Sequence, residues 1–350
     1  MIIQNKSVMF PNSHANQTRR LMKILSALVA SSMLLGSALA QESNPLLTLE
    51  RTIPLPAVEG RIDHMAADVA GQRLFVAALG NNTVAVLDLK SGRHIRSLPG
   101  FAEPQGIVFV PEFDRLFIAN GADGTLRILD GHTFKSVGTV DVGDDADNVR
   151  YDEAAKRIYV GYGGGALAAI DAKTGGKVAN IKLEAHPESF QFETGDARIY
   201  VNVPGSDQIA VVDREKGTVT ETWPLKDAEA NFPMILDEAD HRLFVGCRNP
   251  AELLVYDSSA SDHLIASVPI SRDTDDLFYD ARNKLLYVSC GGGSIDIIRQ
   301  NGADDYQKLA TLPTAPGART SLFVPDLKLL CLAVPHRGSQ AAEVRVYKTQ

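Results

Sequence analysis

The chain has 350 residues, of which 45% are hydrophobic and 22% charged, and its formal net charge at pH 7 is −8. This length is ample for a large hydrophobic core. The acidic balance, with no basic run after residue 40, argues against a nucleic-acid-binding protein, because such a protein needs Lys/Arg patches against the phosphates.

Residues 1–40 have the pattern of a secretory signal peptide. A twelve-residue apolar run, 24–35, follows a basic segment that ends at Lys23, and it leads to the small-residue cleavage site at 38–40. The run is too short to be a stable membrane anchor. We therefore expect a periplasmic or secreted mature chain, 41–350, whose formal net charge falls to −12 once the four basic residues of the leader are removed.

Two details of the leader stay open. Met22 would be a natural start, so the first 21 residues can be an extension of the true reading frame. The pair Arg19-Arg20 leaves twin-arginine export as an alternative to the general secretory route.

A motif repeats seven times along the mature chain, at steps of 41 to 44 residues. Such a regular period is the signature of a repeat architecture. The copies are RLFVAA from Arg73, RLFIAN from Arg115, RIYVGY from Arg157, RIYVNV from Arg198, RLFVGC from Arg242, LLYVSC from Leu285 and LLCLAV from Leu329.

Each copy holds four short runs with the alternation and composition of β-strands. In the second copy these runs are 106–110, 115–120, 125–130 and 136–142, with turns at 111–114 and 121–124. Four strands per repeat, with no helical pattern between them, are typical of a β-propeller blade.

The third strand of a copy often ends in an aspartate that opens a turn. An aspartate can accept hydrogen bonds from its own turn backbone, and the glycine that often follows tolerates a positive φ. We therefore interpret these aspartates as structural rather than catalytic. They are Asp88, Asp130, Asp171, Asp213 and Asp257.

The last copy lacks a fourth strand, because the chain stops soon after its third strand at 343–348. A strand-like segment, 46–55, precedes the first copy. Pairing of these two segments would close the ring and leave no unprotected sheet edge between the termini. The sequence thus predicts an all-β fold, a single seven-bladed β-propeller over 41–350, in which 46–55 stabilises the whole ring.

The three cysteines are expected to be free, buried thiols. Cys247 and Cys290 occupy equivalent sites in neighbouring blades, which pack about 10 Å apart. A disulfide needs Cα atoms about 4.4–6.8 Å apart. Cys331 stands at a different strand position without an evident partner, and Trp223, on a predicted fourth strand at 218–225, is expected to serve in packing.

The first strand of each blade lies nearest the propeller axis, so the residues that enter it should meet at one channel mouth. The acidic stretch DDADNVRYD (144–152) is one such entry, and His186 and Asn231 lie just upstream in two others. Counting back ten and nine residues from each motif gives Asp63 and His64, Gln105 and Gly106, Asp147 and Asn148, Glu188 and Ser189, Phe232 and Pro233, Asp275 and Asp276, and Arg319 and Thr320.

Carboxylates and amides at this level suit a hard divalent cation such as Ca²⁺, which takes six to eight oxygen ligands. A bound cation could polarise an ester or lactone carbonyl, with His64, His186 or Glu188 as the catalytic candidates. Alternatively, these polar groups are simply hydrated or bond one another across blades. The candidate metal ligands are Asp63, Asp147, Asn148, Glu188, Asn231, Asp275 and Asp276.

Other polar residues around the mouth are candidates for contact with a small ligand or a protein partner. The sequence carries no signal for haem, NAD or flavin, since it has no C-x-x-C-H motif and its glycine-rich runs at 161–165 and 290–293 open no predicted helix. The candidates on this face are Gln105, Arg150, Tyr162, Arg248, Arg319, His336 and Arg337.

The repeats RLFIANGADGTLRILD (115–130) and RIYVNVPGSDQIAVVD (198–213) resemble the YVTN-repeat β-propellers, the YncE-like family of exported bacterial proteins. The resemblance covers nearly all of 46–350 and is looser in the last three copies, where Leu285 and Leu329 replace the leading arginine. Segments such as GRIDHM (60–65) look like those of one subgroup of that family. The resemblance implies a seven-bladed propeller and export to the periplasm.

The resemblance leaves the activity open, because one fold can carry many functions. Related folds include seven-bladed lactonases and the electron-transfer propeller of nitrous oxide reductase. The sequence has no evident ligand set for the copper of that reductase, or for haem. Our leading hypothesis is a non-catalytic binding or scaffold protein that uses the channel mouth for a small ligand, a cation or a protein partner. The alternatives are a divalent-cation-dependent lactonase or esterase and a purely structural propeller, and the oligomeric state stays open.

Overall fold

In the computed structural model, which describes residues 46–350, the first six sequence repeats each form one four-stranded antiparallel sheet, and the seventh repeat supplies three strands of the seventh sheet. The predicted leader, with its start codon and export route, lies outside the described residues. The first described element is β1 (Leu47–Pro54). Blades 1 to 3 then comprise β2 (Met65–Asp68), β3 (Arg73–Ala78), β4 (Thr83–Asp88) and β5 (Arg93–Pro99); β6 (Pro104–Val110), β7 (Arg115–Asn120), β8 (Thr125–Asp130) and β9 (Ser136–Asp141); and β10 (Val149–Asp152), β11 (Arg157–Tyr162), β12 (Ala166–Asp171) and β13 (Lys177–Lys182).

The second half of the chain continues the same pattern. Blades 4 to 6 comprise β14 (Phe190–Phe192), β15 (Arg198–Val203), β16 (Gln208–Asp213) and β17 (Thr218–Pro224); β18 (Glu229–Asp237), β19 (Arg242–Asn249), β20 (Ala251–Asp257) and β21 (Leu264–Pro269); and β22 (Thr274–Asp280), β23 (Leu285–Cys290), β24 (Ser294–Gly302) and β25 (Asp305–Pro313). Blade 7 contains β26 (Ser321–Val324), β27 (Leu329–Val334) and β28 (Glu343–Thr349). Short 3₁₀ turns occur at Leu79–Asn81, Pro111–Phe113, Pro204–Ser206 and Pro325–Leu327.

The predicted closure of the ring is confirmed. The seventh sheet has the strand order β1-β28-β27-β26. β1 is therefore the outermost strand of blade 7. β1 runs antiparallel to β28, with Leu47 opposite Thr349 and Ile53 opposite Val344. Strand β2 of blade 1 contacts β26 of blade 7, so the inner strands also meet where the ring closes.

The core lies between blades, which explains why the second and third strands read as almost continuous apolar runs. Side chains alternate across a strand, and here both faces are buried. In β3, Leu74 and Val76 pack with Val344 on the side of blade 7. Phe75, from the same strand, packs with Ile118 on the side of blade 2. Every blade is thus held through the apolar faces of both its neighbours.

The aspartates that close the third strands are structural, as predicted. The Asp88 carboxylate accepts a hydrogen bond of 2.9 Å from the Ser91 backbone amide. The Asp171 carboxylate accepts one of 2.7 Å from the Thr174 amide. Each such bond satisfies an amide of the tight turn into the fourth strand, so these carboxylates serve the turns.

The cysteine and tryptophan predictions are also confirmed. Within the described part of the chain all three cysteines are free and buried. Trp223 is 2% exposed, and its ring centroid lies 5.5 Å from that of Tyr200 and 6.1 Å from that of Tyr256. No helix within residues 46–350 has the length and apolar character needed to cross a bilayer.

Replacing the buried Ile53 on β1 by alanine should weaken the whole ring and not blade 7 alone. Loss of a fully buried isoleucine side chain is expected to lower the free energy of unfolding by about 2–5 kcal/mol. The matched control, Thr52→Ala, changes an exposed neighbour on the same strand and should cost less than about 0.5 kcal/mol. Denaturant unfolding followed by circular dichroism and by the fluorescence of Trp223 in blade 4 should show both transitions shifting together. A Trp223 transition that stays where it was would contradict closure as the shared support of the ring.

Candidate ligand site at the channel mouth

All seven blades contribute residues to a cavity of about 320 Å³ at one end of the channel. Six carboxylates, four guanidinium groups and two imidazoles line it, so its charge balance depends on the two histidines. The lining residues are Arg61, Asp63, His64, Gln105, Asp145, Asp147, Asn148, Arg150, His186, Glu188, Ser189, Phe232, Arg248, Asp275, Asp276 and Arg319.

Equivalent backbone hydrogen bonds hold the acidic residues at one level. The amide of Asp63 donates to the carbonyl of Ala77 at 2.8 Å. The amide of Asp147 donates to Gly161 at 2.9 Å, and that of Glu188 to Asn202 at 3.0 Å. Each acceptor carbonyl belongs to the fifth residue of the second strand of its blade. Positions counted as equivalent in the sequence therefore occupy equivalent places in the propeller.

Gly106 allows blades 2 and 3 to approach each other at this level. A side-chain carbon at this position would lie 2.1 Å from the carbonyl oxygen of Asp147 and 2.8 Å from the amide nitrogen of Val149. Both contacts are to backbone, which cannot rotate away. The missing side chain of Gly106 thus helps to set the position of Asp147.

Two arginines compensate the charge on one side of the cavity. The Asp275 carboxylate pairs with the Arg248 guanidinium and, at 3.0 Å, with that of Arg319. Arg319 also lies 2.9 Å from the Asp273 carboxylate. The Arg248 guanidinium stacks over the Phe232 ring at 3.4 Å from its centroid. Asp275 is therefore held in a network of charged groups that leaves it little freedom.

His64 compensates two further carboxylates. Its Nε2 lies 3.7 Å from the Asp63 carboxylate and its Nδ1 lies 3.9 Å from that of Asp276. Burial opposes the charged imidazolium, but Asp63 and Asp276 outweigh it and raise the pKa of His64 to about 9. Burial raises the pKa of Asp63 to about 6 and that of Asp276 to about 7, although His64 lowers both.

Three carboxylates remain, of which Asp145 is exposed, and the other two, Asp147 and Glu188, share a single close cation, His186. Its Nε2 lies 3.8 Å from the Asp147 carboxylate. Burial disfavours the His186 imidazolium, but Asp147 and the Gly163 carbonyl raise its pKa to about 9. Burial, followed by the charge of Asp147, raises the pKa of Glu188 to about 8, although His186 lowers it. Among residues 46–350, no Lys or Arg side chain forms an ion pair with either carboxylate.

Four residues predicted for the site lie outside the cavity lining. Asn231 is buried between blades and donates to the Asn202 side-chain oxygen at 2.9 Å and to the Gln208 carbonyl at 3.0 Å. The Tyr162 hydroxyl donates to the Asn180 side chain at 2.8 Å. His336 pairs with the Glu59 carboxylate at 2.7 Å, and the Arg337 guanidinium packs beside Gly317. These side chains already have partners, which repeat counting alone does not reveal.

The structure adds two charged residues that the sequence did not single out. Arg61 lines the cavity and its guanidinium lies 2.7 Å from the Asp63 carboxylate. Asp145 lies 3.7 Å from His186 Nδ1 and accepts a hydrogen bond of 3.2 Å from the Gln105 amide. Each stands two residues before a counted position, Arg61 in GRIDHM and Asp145 in DDADNVRYD. Extending each counted pair upstream by two residues would have included them.

Comparison with known proteins supports the architecture and goes no further. No family model matches the chain, and no curated protein matches it. A chain of Kuenenia stuttgartiensis hydrazine synthase superposes with a TM-score of 0.72 at 16% identity, covering 84% of this chain and 97% of that one. A chain in the crystal structure of the mitotic checkpoint complex superposes with a TM-score of 0.74 at 11% identity, covering 100% of this chain and 99% of that one. At such low sequence identities the structural likeness establishes the fold alone. Together with the seven four-stranded sheets, it shows that the protein is a seven-bladed β-propeller.

The charge of His64 should make the stability of the fold fall as the pH rises. Its pKa is about 9 in the folded protein, against about 6.5 in an unfolded chain. The stabilisation is therefore complete below about pH 6.5 and is lost as the pH rises through about 9. The carboxylates that face His64 and raise its pKa are those of Asp63, Asp276, Asp147 and Asp275.

The measurement is the pH titration of the His64 ring by NMR, with its signal assigned by its absence from His64→Gln. A midpoint near pH 9 is expected, and the melting temperature of the wild-type protein should decline over the same interval. A midpoint at or below about 6.5 would contradict a charged His64.

Proposed function

We propose that this protein is an exported β-propeller that binds a small cationic ligand in the cavity at its channel mouth. The observation that carries the proposal is the unequal compensation of charge around that cavity. Asp275 has two guanidinium partners, whereas Asp147 and Glu188 share one imidazole. A cation next to these two carboxylates would relieve their mutual repulsion.

Burial makes this imbalance costly in the absence of a ligand. Asp147 is 7% exposed, so water provides little screening for its charge. The raised pKa of Glu188 reflects the same desolvation and the nearby charge of Asp147. A ligand with a positive charge would favour the ionised form of Glu188.

The size of the cavity limits the ligand. A volume of about 320 Å³ is at the lower end of the range for small-molecule sites, about 300–1,000 Å³. The lining is polar and charged rather than apolar, which suits a hydrated ion or a small polar molecule. The proposal therefore concerns an inorganic cation or a small organic amine, and not a bulky hydrophobic compound.

Binding accounts for the site better than hydrolysis does. A hydrolase that used His64 or His186 as general base would need that histidine to be neutral. The pKa of His64 and that of His186 are both about 9, so both imidazoles carry a proton at neutral pH. Their charges compensate neighbouring carboxylates, and this is the role that we assign to them in the protein without ligand.

We also propose that the chain belongs to the YVTN-repeat, YncE-like propellers and is exported to the periplasm. The repeated motif and the secretory pattern of residues 1–40 support this assignment. An exported location would expose the cavity to small ions and amines of the periplasm or the medium.

The binding proposal is tested by thermal melting and calorimetric titration of the tag-free mature chain, 41–350, after treatment with a chelator. The probes are CaCl₂, MgCl₂, ZnCl₂ and 1,4-diaminobutane, each in excess. A cation at 100 times its Kd adds about 2.7 kcal/mol of stability, which for a chain of this length raises the melting temperature by about 4 °C. At least one probe should produce such a rise.

Glu188→Gln should abolish that rise, because it removes a carboxylate from the poorly compensated pair. The matched control is Glu184→Gln, which makes the same chemical change at an exposed position in the same loop, outside the cavity lining. The control should keep both the binding heat and the shift in melting temperature. If no probe binds the wild-type protein, the proposed function is wrong.

A further inference from the structure

We infer that Asp147, His186 and Glu188 form a binding site for a divalent transition-metal ion of the Zn²⁺ type. The inference rests on the proposed function and specifies the ligand for the same cavity. One imidazole and two carboxylates are a donor set that Zn²⁺ and similar ions accept. Among residues 46–350 this is the one group of three or more such side chains whose donor atoms come together closely enough to hold a metal.

The three donor atoms are near the spacing that a metal requires. All lie within 4.8 Å of one another, and His186 Nε2 is 3.8 Å from the Asp147 carboxylate. Donors of a tetrahedral site with bonds of about 2.1 Å lie about 3.4 Å apart. Small side-chain rotations, of about 1 Å or less at the donor atoms, would therefore close the group around an ion.

The His186 ring is oriented as in many metal sites. Its Nδ1 lies 2.7 Å from the Gly163 carbonyl oxygen, and since a carbonyl can only accept, Nδ1 must carry the proton. This bond turns Nε2 towards Asp147, where a metal ion would displace the Nε2 proton into solvent and take its place. A backbone or carboxylate acceptor on the other ring nitrogen is the usual support of a metal-bound histidine.

Asp147 provides an independent indication of a missing partner. Its Oδ1 is buried and accepts no hydrogen bond from any described residue, and the residue as a whole is 7% exposed. Buried polar atoms nearly always have a partner, and an unpaired one is costly. A metal ion would supply that partner without any change in the backbone.

The backbone holds the three ligands on two neighbouring blades. Asp147 stands at the entry of β10 in blade 3, and its amide is bonded to Gly161 of β11. Glu188 stands at the entry of β14 in blade 4, with its amide bonded to Asn202 of β15. Anchoring on strands limits the movement of the ligands, which favours a selective site.

The same contacts argue against a Ca²⁺ site made from the whole ring of carboxylates and amides. Ca²⁺ takes six to eight oxygen ligands and has little use for an imidazole. Asp63 and Asp275 are engaged by arginines, and Asp276 accepts a hydrogen bond of 2.7 Å from the Ser321 amide. Three protein ligands would leave the transition metal at least one position open to the cavity, for water or a small molecule.

The test uses the same tag-free mature chain, without a His-tag that would bind metal itself. Calorimetry with ZnCl₂ and CoCl₂ should give one ion per chain, and the Co²⁺ complex should show visible absorption bands that ZnCl₂ displaces. Elemental analysis after dialysis should recover the same stoichiometry. CaCl₂ should bind more weakly than ZnCl₂ and should not displace Co²⁺.

Three ligand variants are compared with two matched controls. Asp147→Asn, His186→Gln and Glu188→Gln should each raise the Kd for Zn²⁺ at least about tenfold and weaken the Co²⁺ bands. Asp144→Asn, at an exposed position of the same loop outside the cavity lining, and Glu184→Gln should retain tight binding. Circular dichroism and melting in EDTA identify any variant that has lost its fold, and the remaining variants carry the test.

The outcomes separate this inference from the function on which it rests. Binding of Ca²⁺ or of 1,4-diaminobutane that depends on Glu188, without binding of Zn²⁺ or Co²⁺, would overturn the transition-metal site and leave the cation-binding function standing. Zn²⁺ binding that survives in all three ligand variants would place the metal elsewhere and also overturn the inference. If no cation binds, both are wrong.

Discussion

The pairing of β1 with β28 is the contact on which the rest of the structure depends. Without β1, blade 7 would have three strands and an open edge, and the apolar cluster that Ile53 covers, which includes Val344, would be exposed. Each blade buries its apolar side chains against both neighbours, so a gap at one junction weakens every other junction. Closure also brings the first strands into one circle, and this circle makes the channel mouth.

The closed ring explains how the protein keeps poorly compensated carboxylates close together. Asp147 and Glu188 belong to segments whose amides are bonded to the second strands, and those strands are almost entirely apolar and buried. Repulsion between two carboxylates costs about a few kcal/mol in such a setting, which is less than the net stability of about 5–15 kcal/mol that is typical of a native protein. The fold can therefore hold in place a group of charges that a less rigid loop would allow to separate. Such local cost at one position of a stable scaffold is typical of a binding site.

Much of the architecture follows from the sequence, and the site follows in part. The strands of blade 2 agree with the sequence to within two residues, the largest difference being that β6 begins at Pro104. Counting from the repeated motif located Asp63, Asp147 and Glu188 correctly, because one backbone hydrogen bond recurs at each of these positions. The same counting cannot show that Asn231 turns into the interblade layer, or that Asp275 lies between two arginines, because a side chain's rotamer and partner depend on the neighbouring blade.

By itself, the sequence determined the number of blades, the closing strand, the free thiols and the level at which polar residues gather. These properties depend on period and strand alternation, which are local and repeat along the chain. Only the tertiary structure decided which charges compensate one another. It paired Arg61 with Asp63 and His64 with Asp276, and it left Asp147 and Glu188 to share His186. The reason is physical: ion pairing depends on distances of a few ångströms between residues that are far apart in the chain, and folding alone sets those distances.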